Sequence, residues 1–342
     1  MKRLLMLLSV LWLLAGCGPA STSMPDRVAT EVAVMQAATA TSTAAAPSAT
    51  ATATLSPSPA VAATATPTLT AAPTDTVPVP PTQAAATPTE PAPPIGPSLG
   101  VFAVVDVASD DVLNIRTRPG VAYPVVGTIP ASGMDVEVHA GGQEVSGSWW
   151  APVQYMALSG WVNSNYLARQ IGRVPEAVAA RAGEAIMALK ERDLAELSGL
   201  VHPDKGLRFS PYTYVRASAD GDVVFSATQV SGLWNDPTIY RWGVYDGSGE
   251  PIDLTFHEYF GQFVYDVDFA RPDVVGFDEN VGQGNTINNI AEMYPEAVVV
   301  EYHFEGFDPQ YAGMDWRSLR LIFEESRGTW YLVGIAHDEW TI

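Results

Sequence analysis

Apolar and polar positions follow different rhythms along the 342 residues of this chain. Residues 4–14 form one apolar run behind Lys2 and Arg3, shorter than the about 20 apolar residues a membrane-spanning helix needs. Residues 18–98 show no hydrophobic period and are built almost wholly from Ala, Thr, Pro and Ser. Such a stretch cannot bury enough apolar surface to offset its ordering entropy, so it is expected to be a disordered linker. From Val101 short apolar runs recur at intervals of roughly ten residues, which predicts five or six short strands. They fall near 101–107, 113–116, 125–129, 134–138, 149–153 and 160–162, separated by turns such as Arg118-Pro119-Gly120 and Gly141-Gly142. Alternation puts Met134, Val136 and Val138 on one face, the expected core face.

Beyond Arg169 the period lengthens. Val174-Pro175-Glu176 opens a helix, because proline suits the first turn and an acid suits the positive end. Val178, Ala182, Ala185, Ile186 and Leu189 form its apolar stripe. Asp193 with Glu196 reads as a capping box for a second short helix, ended by Gly199 and Pro203. Strand-like runs follow at 221–228, 239–245, 297–304, 319–324 and 330–335, the last two joined by a hairpin loop at 325–329. Helices first and antiparallel strands afterwards argue an α+β domain over 170–342.

Charge narrows the partners. The net charge is −20, and residues 169–342, with 28 acids and 13 bases, carry −15 of it. A binder of nucleic acid needs a basic patch to neutralise phosphates, so nucleic acid is excluded as a partner. The chain has a single cysteine, Cys17, which cannot form an intrachain disulfide.

The basic start, the apolar run and Leu14-Ala15-Gly16-Cys17 resemble the signal peptide and lipobox of bacterial lipoproteins. The resemblance implies cleavage before Cys17, lipidation of Cys17 and attachment to the extracytoplasmic face of the cell membrane. Each buried methylene of an acyl chain contributes about 0.8 kcal/mol, so two or three chains hold a protein stably on a leaflet.

Leu113-Asn114-Ile115-Arg116, Pro119, Tyr123-Pro124-Val125-Val126-Gly127, Trp150, Gly160-Trp161-Val162 and Tyr166-Leu167 occur in an order that resembles bacterial SH3-like (SH3b) domains. The resemblance covers 101–168 and implies a small half-open β-barrel that binds peptidoglycan or another wall polymer. The glycine-rich segment 141–148 and Met156-Ala157-Leu158 depart from that pattern. "HPDKGLRFSPY", from His202, and the stretch from Gly313 to the end resemble an uncharacterised domain of bacterial surface lipoproteins, and the order of elements looks like a nuclear-transport-factor-2-like cone. Neither resemblance carries an activity.

Within the first segment the candidate binding residues are Arg116, Tyr123 and Trp149. Trp149 and Trp150 are neighbours on an expected strand, so they point to opposite sides, and Trp149 is the one offered for stacking on sugar or peptide. Arg116 either contacts ligand or pairs with Asp110 or Asp111. Asn114 is expected to hold its own loop backbone.

The second segment offers three weak catalytic candidates, His202, Asp204 and His303. His202 and Asp204 form either an acid–base pair or a turn in which Asp204 caps backbone. Glu301, His303 and Glu305 share one strand face; they are either divalent-metal ligands or a solvated strand face. His257-Glu258 lacks the second histidine of a zinc protease helix, and Asp338-Glu339 reads as surface charge. No cofactor motif is present. The resulting expectation is a lipid-anchored signal and lipobox (1–17), a linker (18–98), an SH3-like barrel (101–168) and an acidic α+β domain (170–342), together forming a non-catalytic surface protein that binds cell wall. The alternative is an enzyme or small-ligand binder with a pocket in the C-terminal domain.

Overall fold

A computed structural model describes residues 96–218 and 221–341. Cys17 and the 18–98 segment, apart from its last three residues, lie outside the described residues. The first strands are β1 (Ser98–Val104), β2 (Val112–Arg116), β3 (Val125–Pro130), β4 (Val136–His139), β5 (Gln143–Val145), β6 (Ser148–Tyr155), β7 (Leu158–Asn163) and β8 (Leu167–Gly172). Helices α1 (Glu176–Glu191) and α2 (Leu194–Leu200) follow. Pro175 caps α1 with its φ set at −53°, and Arg192 ends it in a left-handed turn that donates to Ala188 O and Leu189 O. The Asp193 carboxylate accepts from the N–H groups of Ala195 and Glu196 and starts α2.

Beyond the helices come β9 (Leu207–Ser210), β10 (Val223–Phe225), the single-turn α3 (Ala227–Val230), β11 (Tyr240–Val244), β12 (Pro251–Leu254), α4 (Phe256–Phe263), β13 (Val274–Phe277), the single-turn α5 (Ile290–Met293), β14 (Val298–Phe304), β15 (Arg317–Ser326) and β16 (Thr329–Glu339). β15 and β16 meet across a two-residue turn, Arg327-Gly328, tighter than the loop expected from the sequence. Fourteen strands make one mixed sheet, whose path is β10-β9-β16-β15-β14-β13-β8-β1-β4-β6-β7-β2-β3, with β5 paired to β6 off that path. β11 and β12 pair only with each other.

This corrects the expected fold class. The strands of the first segment close no barrel, and the second segment is not an antiparallel sheet of its own. Arg169, read from the sequence as the boundary, sits inside β8. That strand pairs antiparallel with β1 (Phe102↔Arg169) on one edge and parallel with β13 (Val274↔Arg169) on the other. The edge that a barrel would have to close is satisfied instead by β13, so the ladder runs on. β9 and β16 form a second parallel pair. Across the same junction Asp106, in the loop after β1, pairs with Lys190 of α1 and with Arg271 before β13.

The sheet between β9 and β14 has two unlike faces. One packs under α1, α2 and α4 in a continuous apolar core that includes Leu189, Leu197, Phe209, Tyr302, Leu319, Leu321 and Phe323. Its centre is aromatic: Trp242 stacks on Tyr259 with centroids 3.8 Å apart, and Phe209 meets Phe225, Phe256 and Tyr259 edge to face. Burying each such side chain stabilises the fold by roughly 1.5–3 kcal/mol. The opposite face holds a small apolar cluster around Ile290, Ile322 and Val333, and beside it a set of buried charges.

Candidate functional site

The charged set is built on adjacent strands. Alternation along β14 points Val300 and Tyr302 into the helix-covered core and Glu301 and His303 the other way. On β15 the same rule separates Leu319 and Leu321 from Ser318 and Arg320, and on β16 it separates His337 from Asp338. Glu301↔Arg320 and Arg320↔Ala336 are facing pairs in the ladder, so the three charged side chains meet across three strands.

Arg320 is 1% exposed, Glu301 0% and Asp338 2%. Arg320 Nε donates to Glu301 Oε2 at 3.1 Å and Nη1 to Asp338 Oδ2 at 2.6 Å. Nη2 donates to Gly282 O (2.7 Å), Asn280 Oδ1 (3.0 Å) and Glu301 Oε1 (3.2 Å). Glu301 also accepts from the N–H groups of Val281 and Gly282 and from Ser318 Oγ. Glycine at 282 lets the segment after β13 press onto this cluster. A Cβ there would lie 2.5 Å from Ser318 Oγ and 3.0 Å from Glu301 Oε1. His303 completes the group, its Nδ1 2.8 Å from Ser318 Oγ, with Trp316 packed beside it. Burial lowers the His303 pKa against the opposing pull of Glu301 and Glu305, which favours the neutral ring. Burial also raises the Asp338 pKa, although Arg320 pulls it down.

Above the cluster lies an open cleft of about 690 Å³ between the 278–297 segment and the strands, with Glu301, Arg320 and Asp338 in its lining. Asp338 Oδ1 has no hydrogen-bond partner among the described residues. The sequence reading of Asp338 as surface charge is therefore corrected, and so is the solvated strand face proposed for Glu301 and His303. Glu305 is exposed and reaches Arg169 instead, at 2.5 Å. No group of three or more His, Cys, Asp or Glu side chains able to hold a metal is found among the described residues.

Of the two readings for His202 and Asp204 the structure shows a turn and not an acid–base pair. His202 is buried, and its Nδ1 accepts the backbone N–H groups of both Asp204 and Lys205 at 3.1 Å. The histidine, not the aspartate, stabilises this turn. His257 lies on α4 against Trp234, and Glu258 closes the capping box with Thr255. That Thr-x-x-Glu signal was in the sequence and marks the start of a helix the periodicity reading missed.

The wall-binding candidates gather at the other end of the sheet. Arg116 Nη1 donates to the carbonyl of Tyr123 at 2.8 Å, so it pairs with its own loop rather than with Asp110 or Asp111. Arg116, Val121, Trp150 and Asn163 line a cleft of about 310 Å³. Asn114 stands mid-strand opposite Thr128, not in a loop, and lines the same cleft. Tyr123 is 40% exposed, with the Arg118 guanidinium 5.9 Å from its ring centroid. Trp149 is 52% exposed whereas Trp150 is 4% exposed, and Ser164 Oγ donates to the Trp149 carbonyl at 2.9 Å. The Trp149 indole lies across Gly142, where a Cβ would come within 2.4 Å of Nε1.

The chain matches no family model and no curated protein. No helix among the described residues is long and apolar enough to cross a membrane.

Proposed function

We propose that this protein is a lipid-anchored, extracytoplasmic surface protein that binds cell-wall polymer without catalysing a reaction. The observation that carries the reading is the end of the sheet where Trp149 stands half-exposed and where Tyr123, also half-exposed, has the Arg118 guanidinium 5.9 Å from its ring and the Arg116 guanidinium on its carbonyl. Rigid aromatic rings next to a guanidinium suit stacking on sugars and contact with peptide carboxylates, as in a wall glycan with its peptide stems. The order of motifs that resembles SH3b domains and the lipobox-like Leu14-Ala15-Gly16-Cys17 point the same way.

The histidines weigh against the catalytic alternative. His202 is occupied by two backbone donors, and His303 is buried with its Nδ1 on Ser318 Oγ, its pKa lowered by burial. General acid–base work needs a titrating group within reach of bound substrate.

The deciding measurement is co-sedimentation of the full chain with purified peptidoglycan. Retention above an unrelated tagged protein, lost in Trp149→Ala, is the expected outcome. Equal retention of the unrelated protein ends the reading. Mass spectrometry of native material tests the anchor, with a diacylglycerol on an amino-terminal Cys17 expected.

A further inference from the structure

The cleft above Arg320 has its own chemistry, independent of the wall-binding face. Four carboxylates line it, from Asp278, Glu279, Glu301 and Asp338, against one cation, Arg320. That cation is spent: every Arg320 nitrogen already donates to Glu301, Asp338, Asn280 or Gly282. An anionic ligand would meet an engaged guanidinium and a surplus of negative charge.

Asp338 is the unfinished member. Oδ2 is held by Arg320, whereas Oδ1 is buried, unpartnered and part of a residue that lines the cleft. A buried carboxylate oxygen without a donor costs free energy, and that cost is recovered by a ligand that brings one. Apolar groups line the same cleft: Ile287, Ile290, Val299 and the Tyr294 ring. Carboxylates, apolar side chains for methylenes and an aromatic ring together describe one class of guest. At about 690 Å³ the cleft falls in the range of small-molecule sites.

We propose that this cleft binds an alkyl primary amine, with the ammonium directed to Asp338 Oδ1 and the carbon chain along Ile287, Ile290 and Tyr294. The amine is either a free diamine or a lysine-type side chain of a short peptide.

The test is isothermal titration calorimetry of the full chain with 1,5-diaminopentane, and in a second arm with a blocked lysine tripeptide. Pentane-1,5-diol and glutarate serve as neutral and anionic controls of the same length. The expected result is saturable one-site binding of an amine and no binding of glutarate. The arm that binds more tightly identifies the source. A charge-assisted hydrogen bond accounts for roughly a tenfold difference in affinity, so the diol and the Asp338→Asn variant should each bind at least that much more weakly. Should Asp338→Asn fail to fold, Glu279→Gln at the exposed rim carries the test, with a loss of roughly two- to threefold expected from one exposed charge. Absence of saturable binding by both amines, binding of glutarate, or amine binding unchanged in the folded Asp338→Asn variant (in Glu279→Gln, if that variant stands in) overturns the proposal.

Discussion

Arg320 and Leu321 are neighbours on β15 and live in opposite worlds. Leu321 enters a helix-covered core of aliphatic and aromatic side chains, whereas Arg320 enters a buried cluster of charges under a glycine-containing strap. The two faces are made by the same strands under the same alternation. The difference lies in the cover. Helices α1, α2 and α4 present side chains, so the face beneath them is stabilised by area removed from water. The 278–297 segment presents backbone at Val281 and Gly282, and exposed peptide groups demand polar partners beneath them. Glu301 and Arg320 are those partners.

Single substitutions on either side of the strand measure this contrast. Arg320→Ala strands two buried carboxylates without a counter-charge and should cost about 3–5 kcal/mol in urea unfolding at constant m. Leu321→Ala removes a fully buried side chain and should cost about 2–5 kcal/mol, the size depending on how far the core collapses into the gap. A near-neutral Arg320→Ala beside a costly Leu321→Ala would break the comparison, because the charged face would then add nothing to stability.

Asp222 sharpens it. This buried acid is held by hydrogen bonds from Ser210 Oγ (2.5 Å) and the Arg216 N–H (2.8 Å), both to Oδ2, rather than by a bonded guanidinium. Burial pushes its pKa up to about 6, against the pull of those hydrogen bonds. Because the folded form binds its proton more tightly than the unfolded form, the group favours folding at low pH. That contribution is fully present below the unfolded pKa and is lost as pH rises through about 6. A shift of this size corresponds to about 3 kcal/mol. Asp222→Asn keeps an oxygen for both hydrogen bonds and does not titrate. Its stability relative to the parent should therefore rise by up to about 3 kcal/mol between pH 4 and pH 7, read from unfolding curves at both pH values. A parallel pH profile for parent and variant would show that the buried carboxylate is better solvated than its geometry implies.

The smallest stability effect is expected at the far end of the sheet. Trp149 is half-exposed, so Trp149→Ala should change stability by less than about 0.5 kcal/mol while abolishing retention on peptidoglycan. A large loss of stability would make Trp149 a packing residue, since its indole already covers Gly142.

Much of the local structure was legible in the sequence. The α1 stripe from Val178 to Leu189 is buried, the Asp193 cap forms, and the strands near 113–116, 125–129, 297–304 and 319–324 are where the short apolar runs placed them. Other elements were not legible. β13 is four residues long and wholly buried, with no alternation to read. β9 lies inside the motif-like "HPDKGLRFSPY", and α4 was hidden by its run of aromatics despite its capping box. The candidate site was harder still. A lone arginine or aspartate in an alternating strand reads as solvent-facing, as Asp338 did, and no local pattern says that a loop forty residues away will cover it.

Periodicity and capping residues by themselves determined where α1, α2 and several strands begin and which of their side chains share a face, because both follow from backbone geometry over a few residues. Pairing was decided only in three dimensions. β8 could join β13, merging two expected domains into one sheet, because its free hydrogen-bonding edge accepts any strand the chain brings alongside. The same step set the 278–297 segment over β14–β16 and gathered Glu301, Arg320 and Asp338 into a buried cluster beneath a cleft.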